Sequence, residues 1–509
     1  MRSVLIFSVM KNMHQTGVYR LMALLPALLL VAACSANPAT GKQSFTAFMS
    51  PQKELQVGAE EHPKMVKQFG GAFSDKAWNE YVRDIGLELA SYSEMPDLPW
   101  TFTVLNDTQI NAFALPGGYV YITRGLLALA SDEAEMAGVL SHEIGHVTAR
   151  HTAQRYSSTV ATNLGIQVLG VLTNAAGVSG IENIAAVGAE LALKSYSREQ
   201  ELESDMLGVR YLSRAGYDPQ AMASFFVKLS AHQRIEGLIA GDPNAAEKHN
   251  MLATHPRTAD RIVQAIDLAD KNGADKNGKV GVRREADRYL AKIDGMVFGD
   301  DTDQGMVRGA VFVHPELRFR FEAPEDFTIR NMPDMVLATD KDGNSIKFAD
   351  ASAKEVRDAG GMEQYLTQKW SGDANMENVE WIDINGMKAV TGGAQVWTGK
   401  RSVDVRRIVV EQDKDHYWRF QFVAGTQDAK RLNEPFRRTT YSFRTISRAE
   451  ANAVQPWRVR VVTVGRGVTF DDLAGSMAVD EYKKEWFEAL NGIGPDDPLI
   501  PGARVKVVK

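Results

Sequence analysis

The stretch Ser141-His142-Glu143-Ile144-Gly145-His146 constrains this chain more tightly than any other. The run from Ser131 to Leu140 that leads into it reads as the opening of a helix, with Ser131 as N-cap and Glu133 and Glu135 near the positive end of the helix dipole. On that helix His142 and His146 lie one turn apart and face the same way, so both imidazoles can reach one zinc ion while Glu143 projects beside it. Two neutral nitrogen donors and a carboxylate beside an open coordination position are the parts needed to deprotonate a metal-bound water, which is the chemistry of peptide hydrolysis. The alternative is a surface helix that carries two histidines by coincidence. With 10 histidines in 509 residues, such a coincidence at this spacing is rare.

A chain of 509 residues is too long for one ordinary core and implies roughly two to four domains. Its 44% hydrophobic and 24% charged content describes a soluble globular protein, and a net charge of −6 gives no reason to expect nucleic acid as a partner. The single cysteine, Cys34, excludes an intramolecular disulfide framework. It follows an apolar block, Leu21 to Ala33, that is too short to span a bilayer but fits the hydrophobic region of a secretion signal. Val31-Ala32-Ala33-Cys34 resembles the lipobox of bacterial lipoproteins. That resemblance implies a signal peptide over residues 1–33, cleavage before Cys34 and lipidation of its thiol. Ser35 and Ala36 do not resemble an inner-membrane retention signal, so the expected location is the periplasm, anchored by lipid in the inner leaflet of the outer membrane. Met13 or Met22 would also open a workable signal.

After the tether Asn37 to Gly41, Ser50-Pro51 marks a helix start, with the helix running to about Phe69. Ala77 to Tyr92 reads as a second amphipathic helix and Trp100 to Leu105 as a strand. From Asn111 to Ile122 two β-rich runs flank the turn Pro116-Gly117-Gly118. Asn111, Ala112 and Phe113 would then either pair their backbone with an extended substrate at the edge of the cleft or belong to a hairpin that only supports the helix. Ser157 to Lys194, rich in small and apolar residues, reads as two helices joined near Asn174 to Gly180, forming a lid or membrane-touching hairpin over the cleft, or part of a buried core, rather than a transmembrane span.

Two catalytic histidines need a third protein donor if one metal position is to remain for water, and a carboxylate from a following helix is one standard solution. Ser197-Arg198-Glu199-Gln200-Glu201-Leu202-Glu203-Ser204-Asp205 offers two pairs one turn apart, Glu201 with Asp205 and Glu199 with Glu203. In either pair one carboxylate could bind metal and the other accept a hydrogen bond from a ligand imidazole. Periodicity alone does not choose between them.

Together, His142 to His146, Asn111 to Ala114 with Pro116-Gly117-Gly118, and Ser197 to Asp205 resemble the gluzincin metallopeptidases of the CAAX prenyl protease and HtpX type. The similarity is greatest to their periplasmic lipoprotein branch, the BepA- and LoiP-like proteins, and it covers about residues 37 to 270. The resemblance implies that His142, His146 and Glu201 hold one zinc ion per chain, that Glu143 is the general base, and that Asp205 orients a ligand. The family usually has alanine where this chain has Ser204. Thr254-His255-Pro256 to Arg261 looks like the family's histidine-proline segment. His255 and Arg261 are therefore candidates to stabilise the oxyanion of the tetrahedral intermediate, or His255 to fill the open metal position at rest.

Residues 271–307 read as a polar linker with a short helix, Arg283 to Ile293. Over 308–447 the pattern changes to alternating strands, Leu317 to Phe321, Arg406 to Glu411 and Tyr417 to Val423 among them, with a helix at Met362 to Trp370. This region faintly resembles the PsbP-like and Mog-like α/β sandwich. Residues 457–509 look like a LysM module, which in its family holds N-acetylglucosamine-containing glycans such as peptidoglycan. Here Gly467-Val468-Thr469 replaces the usual Gly-Asp-Thr.

The expected fold is α+β: a mainly helical zincin-like metallopeptidase domain over 35–270, a small α/β sandwich, and a LysM-like domain. The expected activity is zinc-dependent cleavage of unfolded or misassembled envelope proteins, outer-membrane proteins among them. The competing readings are a periplasmic chaperone or assembly factor with little proteolysis, and a peptidoglycan-associated scaffold.

Overall fold

A computed structural model of the chain describes residues 34–172, 195–240, 282–372 and 374–509, together with His255, Gln264 and Asp267. The expected signal peptide, the joint of the small-residue segment, the 271–279 linker and Arg261 lie outside these residues. The described chain opens with a hairpin, β1 (Cys34–Ala36) on β2 (Gln43–Phe45). Helix α1 (Pro51–Gln68) starts where its signals place it, with the Ser50 side chain accepting from the Lys53 amide and proline in the first turn. Helix α2 (Lys76–Ser91) is capped by Asp75 and buries Trp78, Tyr81, Val82, Ile85 and Leu89 on one face.

A three-stranded sheet follows, built from β3 (Thr101–Leu105), β4 (Ala112–Leu115) and β5 (Tyr119–Thr123) in the order β3-β5-β4. Strand β4 runs antiparallel to β5, and β3 runs parallel to it. The turn between β4 and β5 needs its glycines: Gly117 and Gly118 have φ of 84° and 91°, and a Cβ on Gly117 would stand 3.0 Å from the Glu54 carbonyl oxygen. Strand β4 is an edge, and among the described residues no strand pairs with its outer side.

Beyond α3 (Arg124–Leu129), the helix carrying both histidines is α4 (Glu133–Thr148). Its N-cap is Asp132 rather than the expected Ser131, the Asp132 side chain accepting from the Glu135 amide. Ser131 is occupied elsewhere: its amide donates to the Glu135 carboxylate and its hydroxyl to the Leu490 carbonyl. Helix α5 (His151–Leu172) follows directly. Helices α6 (Arg198–Arg214) and α7 (Gln220–Ala240) come next, α6 starting from a capping box between Ser197 and Gln200. No described helix is long and apolar enough to cross a membrane. The helix expected from Arg283 begins three residues later, as α8 (Ala286–Ile293). Arg283 instead bridges Tyr217 in strand fashion, its amide donating to the Gly216 carbonyl and its own carbonyl accepting from Asp218, which is incompatible with helical pairing.

The alternation in the next region produces a seven-stranded antiparallel sheet in the order β12 (Glu377–Ile384), β13 (Met387–Trp397), β14 (Ser402–Glu411), β15 (Tyr417–Gly425), β11 (Ser345–Ala351), β10 (Met335–Thr339), β9 (Thr328–Met332), with a four-stranded sheet, β16 (Arg444–Thr445), β8 (Phe319–Glu322), β7 (Val311–His314), β6 (Met306–Arg308), packed beside it. Phe312, Phe319, Phe321, Phe348, Trp418 and Phe420 share the interior between them. Residues 459–508 then form a β-α-α-β unit: β17 (Val459–Thr463), α9 (Phe470–Gly475), α10 (Lys483–Asn491) and β18 (Arg504–Val508). Its interior is continuous with that of the helical region: Phe487, Leu490 and Val507 belong to the same apolar cluster as Leu129, Ile144 and Phe225. The architecture is α+β, with a helical region built around α4.

Candidate metal centre

Helices α4 and α6 cross closely because each presents a glycine at the contact. A Cβ on Gly208 of α6 would lie 3.1 Å from the His142 amide nitrogen, and one on Gly145 of α4 would lie 2.8 Å from Ser204 Oγ. That approach brings Glu201 to the two histidines. His142 Nε2 and His146 Nε2 are 2.9 Å apart, and the Glu201 oxygens lie 3.6 Å from the first and 3.5 Å from the second. His255 joins them, its Nδ1 3.2 Å from His142 Nε2 and 3.0 Å from Glu201 Oε1. All four residues are buried, and one donor atom from each falls within 4.8 Å of the others. Donors held tetrahedrally at zinc distances would stand about 3.3 Å from one another, so both the spacing and the set of three imidazoles and a carboxylate fit a zinc ion.

The outer face of each histidine is also held. Asp205 Oδ1 is 2.9 Å from His142 Nδ1. On the other histidine, Nδ1 of His146 meets Nδ1 of His151 at 2.8 Å, and His151 Nε2 is 3.0 Å from Glu203 Oε2. The Tyr196 ring stacks on His146 with centroids 3.8 Å apart, and the Arg155 guanidinium lies 3.7 Å from the Tyr196 centroid. Burial pushes the His146 imidazole well below its usual range, with neighbouring positive and imidazole groups adding to the effect. The ring is thus neutral, as a ligand must be. The hydrogen bond from His151 is the main cause holding the Glu203 carboxyl down, at about 2. Ser204, the departure from the family pattern, donates its hydroxyl to the His142 carbonyl at 2.5 Å and leaves the donor cluster undisturbed.

Glu143 is fully buried beside the cluster, its Oε1 3.4 Å from His255 Nε2. Of the two carboxylate pairs open in the sequence, Glu201 and Asp205 turn inward, whereas Glu199 is exposed and Glu203 faces His151. Asn111, Ala112 and Phe113 lie at the buried start of the edge strand β4. Sequence reasoning missed His151 and Tyr196, and named Glu203 only as half of an alternative pair with Glu199, not as the partner of His151. Arg150, with φ of 57°, ends α4 and reorients the chain, so no helical spacing links His151 to His146.

The model of peptidase family M48 matches residues 76–269. The beta-barrel assembly-enhancing protease of Escherichia coli (strain K12) is 29% identical over 251 residues, which is 48% of this chain and 48% of that protein. The mitochondrial metalloendopeptidase OMA1 of Arabidopsis thaliana is 31% identical over 167 residues, 33% of this chain and 31% of that one. The chain thus spans about half the length, or less, of the curated relatives it matches. Among solved structures, cyanobacterial PsbP (CyanoP) from Synechocystis aligns at 13% identity over 29% of this chain and 98% of its own, with a TM-score of 0.21, too slight a likeness to establish a shared fold. The two-histidine helix and the carboxylate helix packed against it both lie within the stretch, residues 76–269, that matches the model of peptidase family M48.

Proposed function

We propose that the protein is a zinc metalloendopeptidase that cleaves unfolded or misassembled envelope polypeptides. The observation that carries this reading is the convergence of His142, His146 and Glu201 beside Glu143. One zinc ion per chain, bound by those three residues, supplies a Lewis acid that lets water attack a peptide carbonyl near neutral pH. Glu143 takes the proton from the attacking water and returns it to the leaving amine. Asp205, 2.9 Å from Nδ1 of His142, favours the tautomer with the proton on Nδ1 and so leaves Nε2 available to the metal. The edge of β4 at Asn111, Ala112 and Phe113, which is buried but paired with no other described strand on its outer side, is read as the segment that aligns an extended chain by backbone pairing, which suits an unfolded substrate of varied sequence.

His255 is the fourth donor of the cluster, and its place 3.0 Å from Glu201 supports a resting form in which it fills the position that substrate needs. The expected role of Arg261 in oxyanion stabilisation stays a proposal. The beta-barrel assembly-enhancing name of the relatives supports outer-membrane proteins as substrates and the periplasm as location. Cys34, whose backbone pairs with Phe45 at the start of the described chain, is the proposed lipid anchor. Residues 308–447 are read as a PsbP/Mog-like spacing or binding module and 457–509 as a LysM-like module. The β-α-α-β order supports the latter, and its shared core favours packing over peptidoglycan capture.

The test is metal content together with casein digestion by the purified chain, with and without a chelator. Stoichiometric zinc and chelator-sensitive cleavage are expected; a zinc-loaded chain that leaves casein intact under all conditions would sink the reading.

A further inference from the structure

The two histidines of α4 are both held from behind, but by different groups. His142 rests directly on a carboxylate, Asp205, from the helix that supplies Glu201. His146 rests on His151, which is fully buried and in turn meets the Glu203 carboxylate at 3.0 Å. The proton positions along this second line follow from metal binding. If His146 offers its Nε2 lone pair, its proton sits on Nδ1, so His151 must accept at Nδ1 and carry its own proton on Nε2, facing Glu203. A single arrangement of protons therefore satisfies every nitrogen from Glu203 to the metal position.

The far end of the line is the hairpin that opens the described chain. Lys42 Nζ is 3.4 Å from the second Glu203 oxygen. The same hairpin is tied to both metal-bearing helices: Asn37 Nδ2 donates to the Ala149 carbonyl at the end of α4 at 3.2 Å, and Arg210 of α6 donates to the Ala39 carbonyl at 3.1 Å. Lys42 is largely exposed, and an exposed ion pair contributes little, so its share is the smallest of the three links.

We propose that His151 and Glu203 form a second positioning arm for the metal, orienting His146 as Asp205 orients His142, and that the N-terminal hairpin seats this arm. The inference rests on the metallopeptidase reading. It extends that reading to residues that touch neither the metal position nor the substrate path.

The test compares the full chain with His151→Phe, Glu203→Ala, Glu203→Gln and the double variant Thr40→Ala/Lys42→Ala, Thr40 being a second hairpin side chain whose hydrogen bond helps hold the Glu203 carboxyl down. Zinc affinity is measured by competition with a chromophoric chelator, and ligand geometry by the visible spectrum of the cobalt-substituted protein. Loss of an outer partner typically weakens metal binding by about 10–100-fold, which is the shift expected for His151→Phe and Glu203→Ala, with an altered cobalt spectrum. Glu203→Gln, which keeps an acceptor of the same shape, should recover part of that loss. The hairpin double variant should lose about two- to fivefold, at the weak end of the same effect. Glu199→Gln, exposed on the same helix, should change nothing. Zinc affinities within twofold of the parent for both His151→Phe and Glu203→Ala, with unchanged cobalt spectra, overturn the arm, and an unchanged double variant removes the hairpin from it. Should His151→Phe fail to fold, the two Glu203 variants decide. A parent chain that binds no zinc would instead overturn the metallopeptidase reading, so the two failures are distinguishable.

Discussion

The ammonium of Lys506, on the last strand of the β-α-α-β unit, lies 2.6 Å from the carbonyl oxygen of Ala130, at the joint between α3 and the helix that carries both histidines. It also donates to the carbonyls of Ala128 and Leu129 at 2.7 and 2.9 Å, so one buried lysine nitrogen closes the C-terminal end of α3. Ser131, one residue further on, donates to Leu490 of the same unit. The entry to the two-histidine helix is therefore built partly by residues more than 350 positions away in sequence.

This contact, with the shared apolar core, makes the β-α-α-β unit part of the same fold as the two-histidine helix. Lys506→Met keeps the length of the side chain but strands three buried carbonyls, and should destabilise the chain by about 2–4 kcal/mol. A denaturant melt followed by circular dichroism measures it. A loss below about 0.5 kcal/mol would show that the unit is only loosely attached.

Glu143→Gln retains the shape beside the metal position but cannot accept a proton from water. Zinc content should match the parent while the peptidase rate falls by at least about 10²–10⁴-fold. His146→Ala should lose the metal itself. Cleavage at the parental rate by a clean Glu143→Gln preparation would remove the assigned base.

His255→Ala separates the two roles open to that residue. If it fills the fourth position at rest, its removal lowers zinc affinity and raises the basal rate on an unfolded substrate. A fall in kcat with zinc affinity unchanged would instead assign it to the oxyanion.

Gly208→Ala tests the helix crossing. The added Cβ meets backbone atoms of His142 and Ser141 at 3.1 to 3.3 Å, which cannot move aside as a flexible side chain would. Destabilisation of about 1–3 kcal/mol is expected, with weakened zinc binding because Glu201 is pushed from the histidines. Parental zinc affinity and melting temperature would refute the close-approach argument.

Acid should loosen the contact between α7 and the β-α-α-β unit. His232 of α7 is buried against Trp486 of α10, and burial lowers its imidazole to about 4 from 6.5. The unfolded chain therefore binds more protons than the folded one between those values, so this contribution is complete above 6.5 and is lost as pH falls toward 4. The span corresponds to about 3 kcal/mol. His232→Phe should flatten the stability profile across that window, and an unchanged slope would show that the ring is not held neutral.

Local physics made much of this protein readable without coordinates. The helical period alone puts His142 and His146 on one face, Ser50-Pro51 starts α1, and Pro116-Gly117-Gly118 turns β4 onto β5, because each depends on neighbours within a few residues. Alternation likewise marked β14 and β15, though not the pairing of β11 with β15, which joins strands far apart in the chain. Periodicity also left Glu201 with Asp205 and Glu199 with Glu203 equally good. What chose between them was which face of α6 meets α4, a matter of two glycines allowing close approach. The cap moved from Ser131 to Asp132 because Leu490 and Glu135 claim the serine, and His151 reached His146 because Arg150 reorients the backbone between two helices. Spacing along a helix or strand is set by the backbone and is written in the sequence; which side chain finally faces which is set by packing between distant segments, and only the folded chain decides it.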